Sequence, residues 1–109
     1  MRACIIVLAI LLAVAGCAKP IPAERSAYVG VWEAATMSLQ ITQDGRVAYK
    51  RQENENSSKS VEAPVQEFVG NDIVAGVGPL KTKFVVSVPP HEVDGVWKMT
   101  VDGVELTRR

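Results

Sequence analysis

Val96-Trp97-Lys98-Met99-Thr100-Val101-Asp102-Gly103-Val104-Glu105-Leu106-Thr107-Arg108 is the stretch on which the fold turns. Two runs of alternating apolar and polar residues flank Asp-Gly, a pair suited to a two-residue hairpin turn because both central positions need positive φ. If the chain reverses at 102–103, Val101 opposes Val104, Met99 opposes Leu106 and Trp97 opposes Arg108, so the apolar pairs share one face. A slip of one residue would turn the whole set to the other face. The stretch is therefore predicted as an antiparallel hairpin with one face buried.

Outward from this hairpin the same period of two recurs, and no sustained helical period appears from Tyr28 onward. Met37, Leu39 and Ile41 alternate with Ser38, Gln40 and Thr42; Thr82, Phe84, Val86 and Val88 alternate with Lys81, Lys83, Val85 and Ser87. Turn residues at Asp44-Gly45, Gly70 to Asp72, Gly76 to Pro79, Asp94-Gly95 and Asp102-Gly103 bound the runs. The strands expected are 28–34, 36–43, 46–52, 59–69 with a break near Pro64, 72–77, 80–88, 95–101 and 104–108. The fold class is all-β: a small antiparallel meander of about eight short strands, closed as a barrel or as a compact sandwich.

Register also discriminates at Asp44-Gly45. A two-residue turn would set Leu39 against Lys50, whereas a three-residue loop with Gly45 in the left-handed region sets Ile41 against Val47 and Leu39 against Tyr49. A glycine bulge is predicted. Arg51 to Ser60 holds no apolar residue and reads as a solvated, mobile hairpin tip. Its Asn56-Ser57-Ser58 matches a glycosylation acceptor by coincidence of composition.

The N-terminal residues read differently. Arg2 precedes an apolar run from Ala3 to Ala15, too short for a spanning helix of about 20 residues and of the length of a secretory signal. The run ends in Val14-Ala15-Gly16-Cys17, which resembles the lipobox of bacterial lipoprotein precursors. That resemblance implies cleavage before Cys17 and lipidation of its sulfur, a nucleophile able to form a stable thioether. It divides the chain into a helical signal peptide at 1–16, a lipidated cysteine and proline-bearing tether at 17–27, and a β-domain at 28–109. Two or three acyl chains hold a protein stably where one does not. Ala18 after the cysteine, by the sorting tendency of enteric lipoproteins, implies the outer membrane, facing the periplasm.

Composition bounds the rest. A chain of 109 residues has room for one domain, and twelve basic residues scattered among twelve acidic ones offer no stripe for nucleic acid. With Cys4 removed in the signal and Cys17 lipidated, no disulfide, thiol nucleophile or cysteine ligand is expected. The one histidine, His91, lies in Pro89 to Gly95, read as a solvated loop beside Glu92 and Asp94. Without a nucleophile elbow or clustered ligands, no catalytic residue, metal site or cofactor is assigned.

Gly-Val-Trp occurs at 30–32 and again at 95–97. The first, in the opening strand of a meander, resembles the Gly-x-Trp signature of the lipocalin and calycin families. The resemblance implies a barrel in which Trp32 packs under an arginine from near the chain's end, for which Arg108 and Arg109 are the candidates. The hairpin register favours Arg108 by placing it opposite Trp97. Gly30, Trp32, Trp97 and Arg108 are thus the expected structural motif, and Cys17 the lipidation site. Two functions follow: a lipid-anchored module that docks onto an envelope protein through a strand edge or loop, or a carrier of a small apolar ligand. Eight short strands enclose either their own side chains or one small ligand. Met37, Leu39, Ile41, Tyr49, Phe84, Val86, Trp97 and Met99 suffice to fill that space, which favours docking.

Overall fold

The alternating runs fold as strands along most of their length. A computed structural model describes residues 19–109, so the signal sequence at 1–16 with its helix, and Cys17, lie outside the described residues. The strands are β1 (Gly30–Glu33), β2 (Met37–Ile41), β3 (Arg46–Asn54), β4 (Ser57–Val69), β5 (Asp72–Val77), β6 (Leu80–Phe84), β7 (Val86–Val93), β8 (Val96–Val101) and β9 (Val104–Arg108). They form one sheet, ordered β6-β5-β4-β3-β2-β1-β9-β8-β7, antiparallel throughout. The sheet curls into a half-barrel, a single rolled layer in place of the alternative of a sandwich.

The strand count carries a topological consequence. Nine strands joined only by reversals would leave β1 and β9 parallel, yet Trp32 pairs with Arg108 and Glu33 with Thr107 antiparallel. The parity is restored because β6 and β7 are one run that does not reverse. Phe84 pairs with Ile73 of β5 and Val86 with Val101 of β8, so the chain changes partner across the single residue Val85. Phe84 and Val86 are both buried and Val85 is half exposed, so the alternation of faces continues through the change. The run expected as one strand at 80–88 is therefore two ladders on one strand.

Two aspartates occupy the places where a ladder would otherwise supply acceptors. Asp102 Oδ1 accepts from the Val85 N–H at 2.9 Å, and the Asp102 N–H donates to the Val85 carbonyl at 2.7 Å. Asp72 Oδ1 accepts from the Val86 N–H at 2.8 Å, while its other oxygen lies 3.5 Å from Lys83 Nζ. Both carboxylates adjoin tight turns beside the junction, Asp72 as the first residue of β5 and Asp102 directly after the last residue of β8.

Both register arguments hold. Val101 pairs with Val104 and Met99 with Leu106; Ile41 pairs with Val47 and Leu39 with Tyr49 across a loop in which Gly45 has φ +92°. Gly45 also permits a close approach, because a Cβ there would stand 1.7 Å from the Lys19 carbonyl oxygen.

Six expectations are corrected. Arg51 to Ser60 is paired strand except for the turn at 55–56, with Arg51 opposite Lys59 and Gln52 opposite Ser58. Its side chains from Gln52 on are exposed, but ladder bonds propagated from the buried part of the hairpin keep the backbone paired. Pro89 to Val93 is strand and not loop, with His91 opposite Lys98. The ladder slips on both sides of Val88, which turns Val88 outward, 41% exposed, against its expected inward place. Pro64 does not break β4; the irregularity falls just beyond it, between Val65 and Glu67. Tyr28 precedes the first strand, in a 3-10 turn at Ala23–Tyr28. Finally, of the tether expected at 17–27, residues 19–27 lie on the sheet. The buried Ile21 donates its N–H to the Gln43 carbonyl at 2.9 Å and accepts from Gln43 Nε2 at 3.1 Å.

Asp72→Ala is expected to leave the part-buried Val86 N–H without its acceptor and to lower stability by about 1–3 kcal/mol. Asp72→Asn, which keeps an oxygen there, should lose less. Urea midpoints of the two variants against the unaltered protein check this.

Candidate functional site

The expected motif residues meet in one place. Trp32 on β1 is fully buried, with its Nε1–H donating to the Tyr28 carbonyl at 2.9 Å. Arg108 is its direct partner on β9. Side chains opposite one another on antiparallel strands share a face, and the guanidinium carbon lies 5.6 Å from the Trp32 ring centre and 4.9 Å from that of Trp97 on β8. One half-buried cation thus touches the aromatic faces contributed by the strands on either side. Its Nη1 donates to the Ala27 carbonyl at 3.4 Å.

Gly30 completes the arrangement. Its φ of +144° is a region that other residues rarely adopt, and a Cβ there would stand 2.7 Å from Arg108 Cδ and 3.1 Å from Cγ. The glycine therefore leaves the channel through which the arginine stem crosses the sheet. Arg109, the other candidate, turns outward and holds the exposed Glu33 with Nε at 3.1 Å and Nη2 at 2.6 Å. That guanidinium keeps the Glu33 carboxyl below its ordinary pKa.

A second cation–aromatic group, which sequence reasoning missed, joins the 3-10 turn to the end of β4. Arg25 Cζ lies 4.9 Å from the Phe68 ring centre and 5.8 Å from that of Tyr28, and the two rings meet edge to face at 5.1 Å. The Tyr28 hydroxyl donates to the Asn71 carbonyl at 3.0 Å. Burial is the largest influence on this phenol and pushes its pKa above 10.0, with Arg25 acting in the opposite sense. Arg25 stood in a segment read as a proline-bearing tether; its three-residue spacing from Tyr28 was the available signal. Together the Trp32, Arg108 and Tyr28 bonds pin residues 23–28 as a strap against the sheet.

The outer face of β1 to β4 carries an open groove of about 470 Å³ lined by Glu33, Ser38, Gln40, Lys50, Ser60 and Glu62 among others. These are the polar halves of the alternating runs. His91 Nδ1 lies 3.0 Å from the Pro89 carbonyl oxygen, within its own strand. Among the described residues no three His, Cys, Asp or Glu side chains are grouped to hold a metal ion. No family model, curated protein or solved structure matches the chain.

Arg108→Ala should remove stem packing and two ring contacts, lowering stability by about 1–2 kcal/mol and altering tryptophan emission. Arg109→Ala should do little. Gly30→Ala should displace Arg108 and reproduce the emission change of Arg108→Ala; urea titration followed by fluorescence tests all three. The raised Tyr28 value sets an alkaline limit: its contribution is complete below the unfolded value and is lost as pH rises through the folded one. Stability measured upward from pH 10.0 should fall less steeply in Tyr28→Phe than in the unaltered protein.

Proposed function

We propose that this chain is a lipid-anchored bacterial envelope protein, held at the outer membrane and facing the periplasm, whose β-domain is a non-catalytic docking module for another envelope component. The anchor reading is supported by Val14-Ala15-Gly16-Cys17 at the end of a short apolar run behind Arg2. The observation that carries the docking reading is the filling of the curled sheet. Trp32, Phe84, Leu39, Ile41, Ile73, Met99, Leu106, Val47 and Val101 are each less than 2% exposed and pack as one cluster where a carried ligand would have to sit. The surface, by contrast, offers two edge strands, β6 and β7, at the ends of the sheet order. An edge strand presents backbone donors and acceptors to which an extended segment of a partner can add.

The second reading is a small calycin-like carrier of an apolar ligand. The meeting of Gly30, Trp32 and Arg108 favours that likeness of fold, and the packed interior favours docking over carriage. The carrier reading requires the core to open around a guest.

Metabolic labelling with a palmitate analogue in a lipidating bacterial host is expected to mark the protein and to miss Cys17→Ser. An unlabelled parent protein would remove the anchor from the proposal. Crosslinking in intact envelopes followed by mass spectrometry should then join the β-domain to an envelope protein. Recovery of the protein with an extracted apolar molecule and no crosslinked partner would transfer support to the carrier.

A further inference from the structure

We propose that the β5–β6 hairpin tip, Val77-Gly78-Pro79-Leu80, is a second membrane contact that rests on the lipid surface beside the anchor; this deepens the anchored reading and depends on it. Val77 and Leu80 are 67% and 79% exposed, the highest values among the large apolar side chains described as exposed. They flank a tight turn braced from β4 by Gln66 Nε2, which donates to the Gly78 carbonyl at 3.1 Å. The tip is a firm apolar projection and not a frayed end.

Its position follows from the stagger of the sheet. Arg46 pairs with Pro64 and Val65 pairs with Ala75, so Ala75 comes level with the loop around Gly45, and Val77 and Leu80 lie two residues farther along, beside the start of β3. The Lys19 backbone lies against Gly45, and Lys19 lines a common groove with Gly76, Val77 and Gly78. Cys17 is two residues upstream of Lys19, at most about 7 Å of extended chain. A lipid on Cys17 must therefore enter its bilayer close to this hairpin, and the docked segment 19–22 leaves little chain to hold the two apart.

Charge selects the same tip. Lys19 and Lys81 are exposed beside Val77 and Leu80, against one acidic neighbour, Glu62, in the groove beneath the tip. Basic side chains around an apolar projection suit anionic headgroups over acyl chains. The β7–β8 tip also exposes valines, Val93 at 44% and Val96 at 40%, but sets them among Glu92 and Asp94. An anionic surface repels that tip, which makes it the internal comparison.

The test uses the full precursor, made in a lipidating host and reconstituted into vesicles of phosphatidylethanolamine and phosphatidylglycerol. Leu80→Cys and Val96→Cys are each labelled with an environment-sensitive fluorophore and exposed to lipids carrying a nitroxide on the acyl chain. The Leu80→Cys label should shift to the blue and be quenched severalfold more than the Val96→Cys label. Addition of Lys81→Glu should weaken that quenching. The mass of the N-terminal peptide reports acylation separately. An acylated protein with equal, weak quenching at both positions overturns the tip contact and leaves the anchor standing. An unmodified Cys17 overturns the anchor, and the tip contact with it.

Discussion

The architecture depends on a hydrogen-bonding constraint at Val85. A strand that changes partners must pass a point where neither ladder serves it, and buried or half-buried backbone groups there need other acceptors. Asp102 and Asp72 provide them to consecutive N–H groups, 2.9 Å and 2.8 Å away. Because Asp72 opens β5 and Asp102 follows the close of β8, they also fix where one ladder stops and the other starts. Were the chain to reverse at Val85, β1 and β9 could not pair antiparallel, and Arg108 would not face Trp32. The ring-stacked arginine at one side of the molecule is thus a consequence of two carboxylates at another.

The Trp32–Arg108 group ties together the beginning and the end of the described chain. Arg108 reaches the Ala27 carbonyl across 81 positions of sequence, whereas most other pairing is between strands adjacent in sequence. Local hairpins close short loops at small entropic cost, while the β1–β9 contact needs nearly the whole domain in place. The strap at residues 23–28 depends on the same contact, since Trp32 and Arg108 both hold its carbonyls. Burial of Ile21 and Tyr28 extends this closure to the residues that precede β1.

The hairpins were legible because each combines a turn residue of known φ preference with a buried face that penalises any slip. Asp102-Gly103 and Gly45 are cases in which both signals agree. Arg108 was legible for a related reason: an arginine on the apolar side of a hairpin needs a partner. Other features lacked a local signal. Nothing in Arg51 to Ser60 shows burial, so pairing inherited from the neighbouring core could not be read from it. The pair Pro89-Pro90 usually marks a loop, but this strand lies at the edge of the sheet, where a missing N–H is tolerated. The use of Asp72 and Asp102 as acceptors is a tertiary matter, visible only once β5 and β8 are brought to either side of Val85.

The same edge position bears on self-association. An open half-barrel has two strands whose outer backbone could template a further copy of the chain, the route by which sheets grow into fibres. In β7 the prolines at 89 and 90 offer no N–H, and the ladder slips on both sides of Val88. A second chain laid along it would meet a row of interrupted donors and a strand of uneven pitch. In β6 Lys81 and Lys83 stand exposed on a run of only five residues, so an identical edge brought alongside meets like charge along a short contact. These features oppose addition of an identical chain, while the short basic edge of β6 stays open to a partner segment of opposite charge.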